Sequence, residues 1–275
     1  MEFVKGHGTE NDFVVLPDPD GVLELTEERV RALCDRRRGL GADGVLRVTR
    51  TASVADAPAD VDPDLWFMDY RNADGSVAEM CGNGVRLFAR YLVEAGMAEQ
   101  GDLVVGTRAG ERPVHVFDDG NVTVDMGPTK VFGHCAATVG GQAFDGVAVD
   151  VGNPHLACVV DTPVADLDLT VPPGYDPVLF PHGVNVEFVN PVAAGMLRMR
   201  VYERGVGETR SCGTGTVAAV AAVLHLGGQT EGECLVDVPG GRVRVWVDEH
   251  TSTLTGPAVL VARGVLDGGW WESLS

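Results

Sequence analysis

Lysine is almost missing from this chain of 275 residues, where Lys5 and Lys130 are the only two. A pyridoxal cofactor held as a Schiff base therefore has very few anchor candidates. Basic charge is scarce in general: 21 Lys and Arg stand against 40 Asp and Glu, and the net charge of −19 repels phosphate backbones and anionic lipid. Neither nucleic acid nor a membrane surface is an expected partner. No basic segment followed by an apolar stretch opens the sequence, and the longest apolar run, Val217 to Leu226, falls far short of a membrane span. The chain reads as cytoplasmic, with its six cysteines (34, 81, 135, 158, 212 and 234) kept as thiols. Neither C-x-x-C nor H-E-x-x-H occurs, so no metal site is signalled. The stretch Gly39-Leu40-Gly41-Ala42-Asp43-Gly44 fits G-x-G-x-x-G, but VLRV follows it as a strand where a dinucleotide site needs a helix. Aromatics are only 6% while glycine reaches 36 residues and proline 15, which favours a turn-rich β or α+β chain.

What is present is a repeat. Cys81-Gly82-Asn83-Gly84 recurs 131 residues later as Cys212-Gly213-Thr214-Gly215, and Gly110 with Val114 and Val116 recurs as Gly241 with Val245 and Val247. Gly127-Pro128 is matched by Gly256-Pro257, and Asn11 before DFVV by Asn153 before PHLACVV. Four matches in one order indicate a duplication into two homologous halves, expected to face each other across a pseudo-twofold axis. Each half shows short alternating strands plus one helix, expected from about Cys81 to Ala95 and from about Cys212 to Leu226. TVAAVAAVLHL is apolar on every side, the mark of a central helix wrapped by sheet. A third helix is expected over Glu27 to Arg37, after Thr26 as N-cap.

Cys81 and Cys212 hold the same place in both halves, at the start of a buried helix and just before Gly-x-Gly. A single cysteine among apolar residues is ordinarily inert core. The mirrored placement argues otherwise, because a helix N-terminus favours thiolate over thiol. Glycine inside a helix costs roughly 1 kcal/mol relative to alanine, and close approach of the backbone to a carboxylate would justify it. Two symmetric thiols suit a stereoinversion, one removing a proton from one face of a carbon and the other delivering one to the opposite face. Facing thiols could also oxidise to a disulfide, as a product and not a staple. Around these segments lie Asn72 in YRNADGS, Asn153 and His155 in GNPH, Asn185 in HGVNVEF, and Glu203-Arg204 in YERGVGET. Alone, each Asn reads as a turn or cap residue, His155 as a core histidine and Glu203-Arg204 as a surface pair. The adjacent carboxylate and guanidinium, eight residues before Cys212, suit a ligand bearing both ammonium and carboxylate, an amino acid.

At these residues the chain strongly resembles the diaminopimelate epimerases. GHGTENDFVV, RNADGSVAEMCGNGVRLFARY, DVGNPHLACVV, HGVNVEFV and ERGVGETRSCGTGT are similar to that family's motifs and span nearly the whole chain. The resemblance implies an α+β fold of two pseudo-symmetric halves, each a mostly antiparallel β-barrel or roll around a central helix. It places the halves at 1–118 with 258–275 and at 119–257, with terminal strands exchanged and substrate in the cleft. It implies cofactor-independent interconversion of LL- and meso-diaminopimelate in lysine and peptidoglycan biosynthesis. Cys81 and Cys212 would be the acid/base pair, Cys81 the donor and Cys212 the acceptor from LL to meso. Gly82, Asn83, Gly213 and Thr214, with Asn11, would hold the reacting carboxylate. Asn72, Asn153, Asn185 and Arg204 would bind the distal end, Glu203 its ammonium, and His155 with Glu203 would tune the thiols. One departure stands out: where many members carry Gln after G-x-G-x-D, this chain has Gly44. The family often forms homodimers, a possibility here too. Other readings are a proline or hydroxyproline racemase, which would leave Glu203-Arg204 unexplained, and an isomerase of the phenazine-biosynthesis type, which generally lacks the cysteine pair. A non-catalytic amino-acid-binding protein would make both thiols gratuitous.

Overall fold

The computed structural model describes residues 1–274. The chain divides into two compact units, one from Met1–Val124 with the C-terminal stretch from Pro257, the other from Asp125–Gly256. In each, mostly antiparallel strands form an open roll around one helix, an α+β arrangement.

In the first unit β1 (Glu2–Gly8) and β2 (Asn11–Pro17) form a hairpin whose turn holds Thr9 and Glu10 at φ of 49° and 62°. The left-handed turn is uncommon for residues with a Cβ. It delivers Asn11 at the head of β2. Helix α1 (Glu27–Cys34) starts at Thr26, whose hydroxyl accepts the Arg29 N–H at 3.3 Å. It stops three residues short of the expected Arg37, because Asp35 accepts the backbone N–H groups of Arg37 and Arg38, both at 2.8 Å. That side chain gives the backbone a turn in place of the next helical bonds. Strands β3 (Gly44–Arg50) and β4 (Trp66–Asn72) are antiparallel, and β3 runs parallel to β2 with Phe13 opposite Gly44. Helix α2 (Gly82–Glu94) comes next, then β5 (Gly101–Thr107), β6 (Gly110–Val116) and β7 (Asn121–Asp125). A C-terminal strand, Val259–Val265, closes onto β1 antiparallel. Helix α2 buries Gly82 through Ala89 with Tyr91 and Leu92. It ends where Gly96 turns left-handed at φ +67° and Met97 N–H reaches the Leu92 carbonyl at 2.8 Å.

The second unit repeats this plan. Strands β8 (Lys130–Val139), β9 (Gln142–Asp150) and β10 (Pro154–Val159) are antiparallel neighbours. Strand β11 (Asn185–Ala193) runs parallel to β10 with His155 opposite Asn185, the counterpart of the β2–β3 pair. Then come β12 (Met196–Glu203), the short β13 (Gly207–Thr209), helix α3 (Gly213–Leu226), β14 (Gly232–Val238), β15 (Gly241–Val247) and β16 (Ser252–Pro257). Residues Gly215 to Ala222 of α3 are all buried, as the apolar run implied, and only the last turn reaches solvent at His225 and Leu226. Among the described residues no helix is long and apolar enough to cross a membrane.

Phe88, fully buried on α2, tests how far the first roll depends on its helix. Phe88→Ala is expected to cost about 3–5 kcal/mol through lost burial and the cavity left behind. The readout is a fall in the urea midpoint of the unit's unfolding.

Candidate active site

In the first unit, Cys81 is the N-cap residue of α2 and is half-buried. Its Sγ donates to Asn11 Oδ1 at 3.5 Å, and the Asn83 side-chain amide donates to the same oxygen at 3.2 Å. Asn11 is held in that sense because its own Nδ2 donates to Asp43 Oδ2 at 2.8 Å. Asp43 also accepts the Asp12 N–H at 3.1 Å and an Arg36 guanidinium hydrogen at 2.8 Å. Asp12 in turn is bound by Lys5 and Arg36. Burial would raise its carboxyl pKa, but hydrogen bonds from Arg36 and Lys5 outweigh this and hold it at about 2. Beneath the cysteine, Arg86 is fully buried and donates to Thr9 Oγ1 at 3.0 Å, Asn83 Oδ1 at 2.5 Å and the Pro257 carbonyl at 3.1 Å. Burial draws its pKa down to about 10, and a negative charge on Cys81 opposes that fall.

Asn72 sits across from Gly44 in the β3–β4 ladder and donates to Ser76 Oγ at 3.0 Å, so it also builds the turn after β4. Gly44 has no room for a side chain: a Cβ there would lie 2.6 Å from the Arg71 carbonyl oxygen and 2.7 Å from Tyr70 Cε2. The Gly44 departure therefore has a local cause in the ring of Tyr70, which stacks edge-on to Phe13 at 5.8 Å.

In the second unit, Cys212 caps α3 directly. Its Sγ accepts the Gly215 N–H at 3.4 Å and lies 3.6 Å from Thr214 Oγ1. His155, fully buried on β10, bridges Glu187 Oε1 at 2.7 Å through Nδ1 and Asn153 Oδ1 at 2.9 Å through Nε2. Asn185 accepts the Arg204 backbone N–H at 2.9 Å, while the exposed Arg204 guanidinium donates to the His182 carbonyl at 2.9 Å. Glu203 ends β12 and accepts a hydrogen bond from Thr209.

The electrostatics correct one expectation. A helix N-terminus was expected to favour thiolate, yet burial pushes the Cys212 thiol well above its ordinary value, and the charges of Glu203 and Glu187 push the same way. The Thr214 hydroxyl and Gly215 N–H pull it down without prevailing, since desolvation by a full protein shell exceeds the pull of two weak donors. Cys34 and Cys158 are ordinary core thiols, each pushed up to about 12 by burial.

The structure thus places Asn11, Cys81, Gly82 and Asn83 together in the first unit, and in the second it sets Cys212, Gly213 and Thr214 at the start of α3, with Asn153, His155 and Asn185 on or beside the neighbouring strands β10 and β11. A cavity of about 450 Å³ in the second unit is lined by His134, Cys135, Asp145, Val147, Val159 and Leu226, and includes none of these residues. Sequence reasoning missed Asp43, which orients Asn11, Arg86, and above all Glu187. The signal for Glu187 was a carboxylate inside the apolar strand VNVEFV, a place where a charge needs a partner.

The sequence profile of the family described as diaminopimelate epimerase matches residues 3–132 and 147–261. The chain belongs to that family. It is 57% identical to the diaminopimelate epimerase of Rhodococcus jostii and 57% identical to that of Mycolicibacterium smegmatis, covering 100% of both chains in each case. Solved structures with the same fold include a Bacillus anthracis phenazine biosynthesis protein of the PhzF family, at a TM-score of 0.69 and 18% identity over 97% of this chain and 99% of that one. A hydroxyproline epimerase from Agrobacterium vitis matches at a TM-score of 0.67 and 18% identity, over 96% of this chain and 91% of that one. At that identity they establish the fold alone.

Within this diaminopimelate epimerase family member, the crowding at Gly44 gives a test. Gly44→Gln is expected to destabilise by about 1–3 kcal/mol through overpacking against Tyr70. The thermal midpoint should fall, and the double variant with Tyr70→Ala should recover part of the loss.

Proposed function

We propose that this protein epimerises diaminopimelate between its LL and meso forms without a cofactor, using Cys81 and Cys212 as the acid/base pair. The observation that carries the reading is that each unit presents one cysteine as the N-cap of a buried, glycine-led helix, in a chain of this family. Epimerisation needs a base on one face of the α-carbon and an acid on the other, and one thiol for each role meets that need. Cys81 is the donor and Cys212 the acceptor from LL to meso, and the roles exchange in reverse.

The α-hydrogen beside a carboxylate is a far weaker acid than a thiol, so the developing enediolate needs stabilisation. The N–H groups of Gly82, Asn83, Gly213 and Thr214 at the two helix starts serve as its donors, with Asn11 beside Cys81. One preorganised donor of this kind is worth about 2.7–4 kcal/mol, so four would supply about 11–16 kcal/mol if additive. Asn72, Asn153, Asn185 and Arg204 bind the distal amino-acid end. Glu203 takes its ammonium, and His155 and Glu203 tune the thiols. The exposed guanidinium of Arg204, which donates to a neutral carbonyl, suits a carboxylate partner. The reaction serves lysine and peptidoglycan biosynthesis, in the cytoplasm, and the protein works as a homodimer.

Proton NMR in deuterated water checks this directly, following the α-proton signals of LL-diaminopimelate and, separately, L-proline with reduced protein and no added cofactor. Exchange and epimerisation of diaminopimelate alone are expected. Exchange of proline alone would transfer the protein to the racemases, and silence with both would leave a binding protein. Cys81→Ala and Cys212→Ala are each expected to lower kcat by at least about 10³-fold with the circular dichroism spectrum unchanged. Full activity in either variant would sink the two-thiol scheme.

A further inference from the structure

The two units share one backbone plan but not one charge plan. Aligning β2–β3 on β10–β11 by their registers sets Gly44 against Asn185 and Leu46 against Glu187. The helices agree: the nearest atom to a Cβ at Gly84 would be Leu46 Cδ2 at 3.4 Å, and at Gly215 it would be Glu187 Oε1 at 2.5 Å. Two residues on, Arg86 of α2 answers to Val217 of α3, both fully buried. The first unit therefore buries a cation under its cysteine and an apolar residue beside the helix start. The second buries an apolar residue under its cysteine and a carboxylate beside the helix start.

We propose that Glu187 is a positioning residue which, paired with His155, controls the proton on Cys212 and so gives the cysteines of the two units opposite electrical surroundings. Glu187 is fully buried; Oε1 is tied to His155 Nδ1 at 2.7 Å, and Oε2 has no hydrogen-bond partner among the described residues. A carboxylate with an orphaned oxygen is a poor structural element, since a leucine fills the equivalent place in the first unit. It lies over Gly215, whose N–H is given to the Cys212 sulfur. The other titratable groups that act on this pair are Glu203 at the end of β12, Cys158 on β10 and Cys212 itself. Asn153 receives the far nitrogen of His155, so a proton on the Glu187 carboxyl decides the charge that Glu187 presents beside Gly215. Loss of that proton leaves a negative charge facing the sulfur. Burial and the His155 contact leave the Glu187 carboxyl at about 7, so the charge appears as pH rises through neutrality and then opposes a thiolate at Cys212.

The inference rests on Cys212 being an acid/base group, and its test needs no substrate. Iodoacetamide alkylation would be followed against pH by mass spectrometry of the Cys212 peptide, with the Cys81 peptide as internal reference, in the parent protein, Glu187→Gln and Glu187→Leu. Leu46 fills the equivalent place in the first unit, and a circular dichroism spectrum like the parent's checks that the second variant is folded. Both variants should lower the alkylation midpoint of Cys212 by about one pH unit or more and leave Cys81 unmoved. A Cys212 midpoint that stays in place or rises overturns the proposal, with or without loss of activity. A parent protein inactive on diaminopimelate would overturn the substrate assignment and leave the alkylation result standing.

Discussion

A helix that begins inside a protein leaves its first N–H groups without partners and without water, and both halves of this chain are arranged around that constraint. Gly-x-Gly after each cysteine keeps side chains away from the helix start, so the donors stay open to a ligand. The rolls then shield the helices: α2 buries all of its first two turns, and α3 all of its own except the half-buried Thr214. An N-cap cysteine is an unusual choice where serine or aspartate would cap better. Cys212 caps through its sulfur, while Cys81 makes no side-chain cap and turns to Asn11 instead. The same backbone solution thus presents the two sulfurs in different hydrogen-bonding company.

That difference continues outward. Around Cys81 the polar groups form a chain of fixed orientation, Arg36 and Lys5 to Asp12 and Asp43, Asp43 to Asn11, Asn11 to the thiol. Around Cys212 the neighbours are Thr214 and Gly215 as donors, with Glu203 and Glu187 as charges. Duplication gave two equal scaffolds, and a handful of substitutions, Arg for Val and Glu for Leu among them, made their interiors unequal.

Much of the fold was legible because duplication writes its pattern twice. The mirrored C-G-x-G motifs and the all-round apolar run Val217 to Leu226 located both central helices to within a residue or two. The overextended first helix shows the limit: Arg37 and Arg38 are good helix formers, and only the Asp35 side chain, bonding two backbone N–H groups, ends α1 at Cys34. The polar groups near each helix start were legible as candidates where they sit next to a motif, as with Cys81, Asn83, Asn153 and His155. It was not legible for Glu187, because a single acidic letter in a strand does not reveal whether it faces solvent or a buried histidine.

The sequence by itself determined the paired cysteines, the glycines that open their helices, the acidic surface charge and, through those motifs, the family. Those properties are local or additive, so order along the chain suffices to state them. Only the tertiary structure decided the electrical surroundings of the Cys212 sulfur. Desolvation depends on every atom packed around a group, and one of the charges that act on Cys212, Glu187, comes from β11, which β12 and β13 separate from its helix start along the chain. It also decided why position 44 is glycine, since the ring that fills the space belongs to Tyr70 on the neighbouring strand.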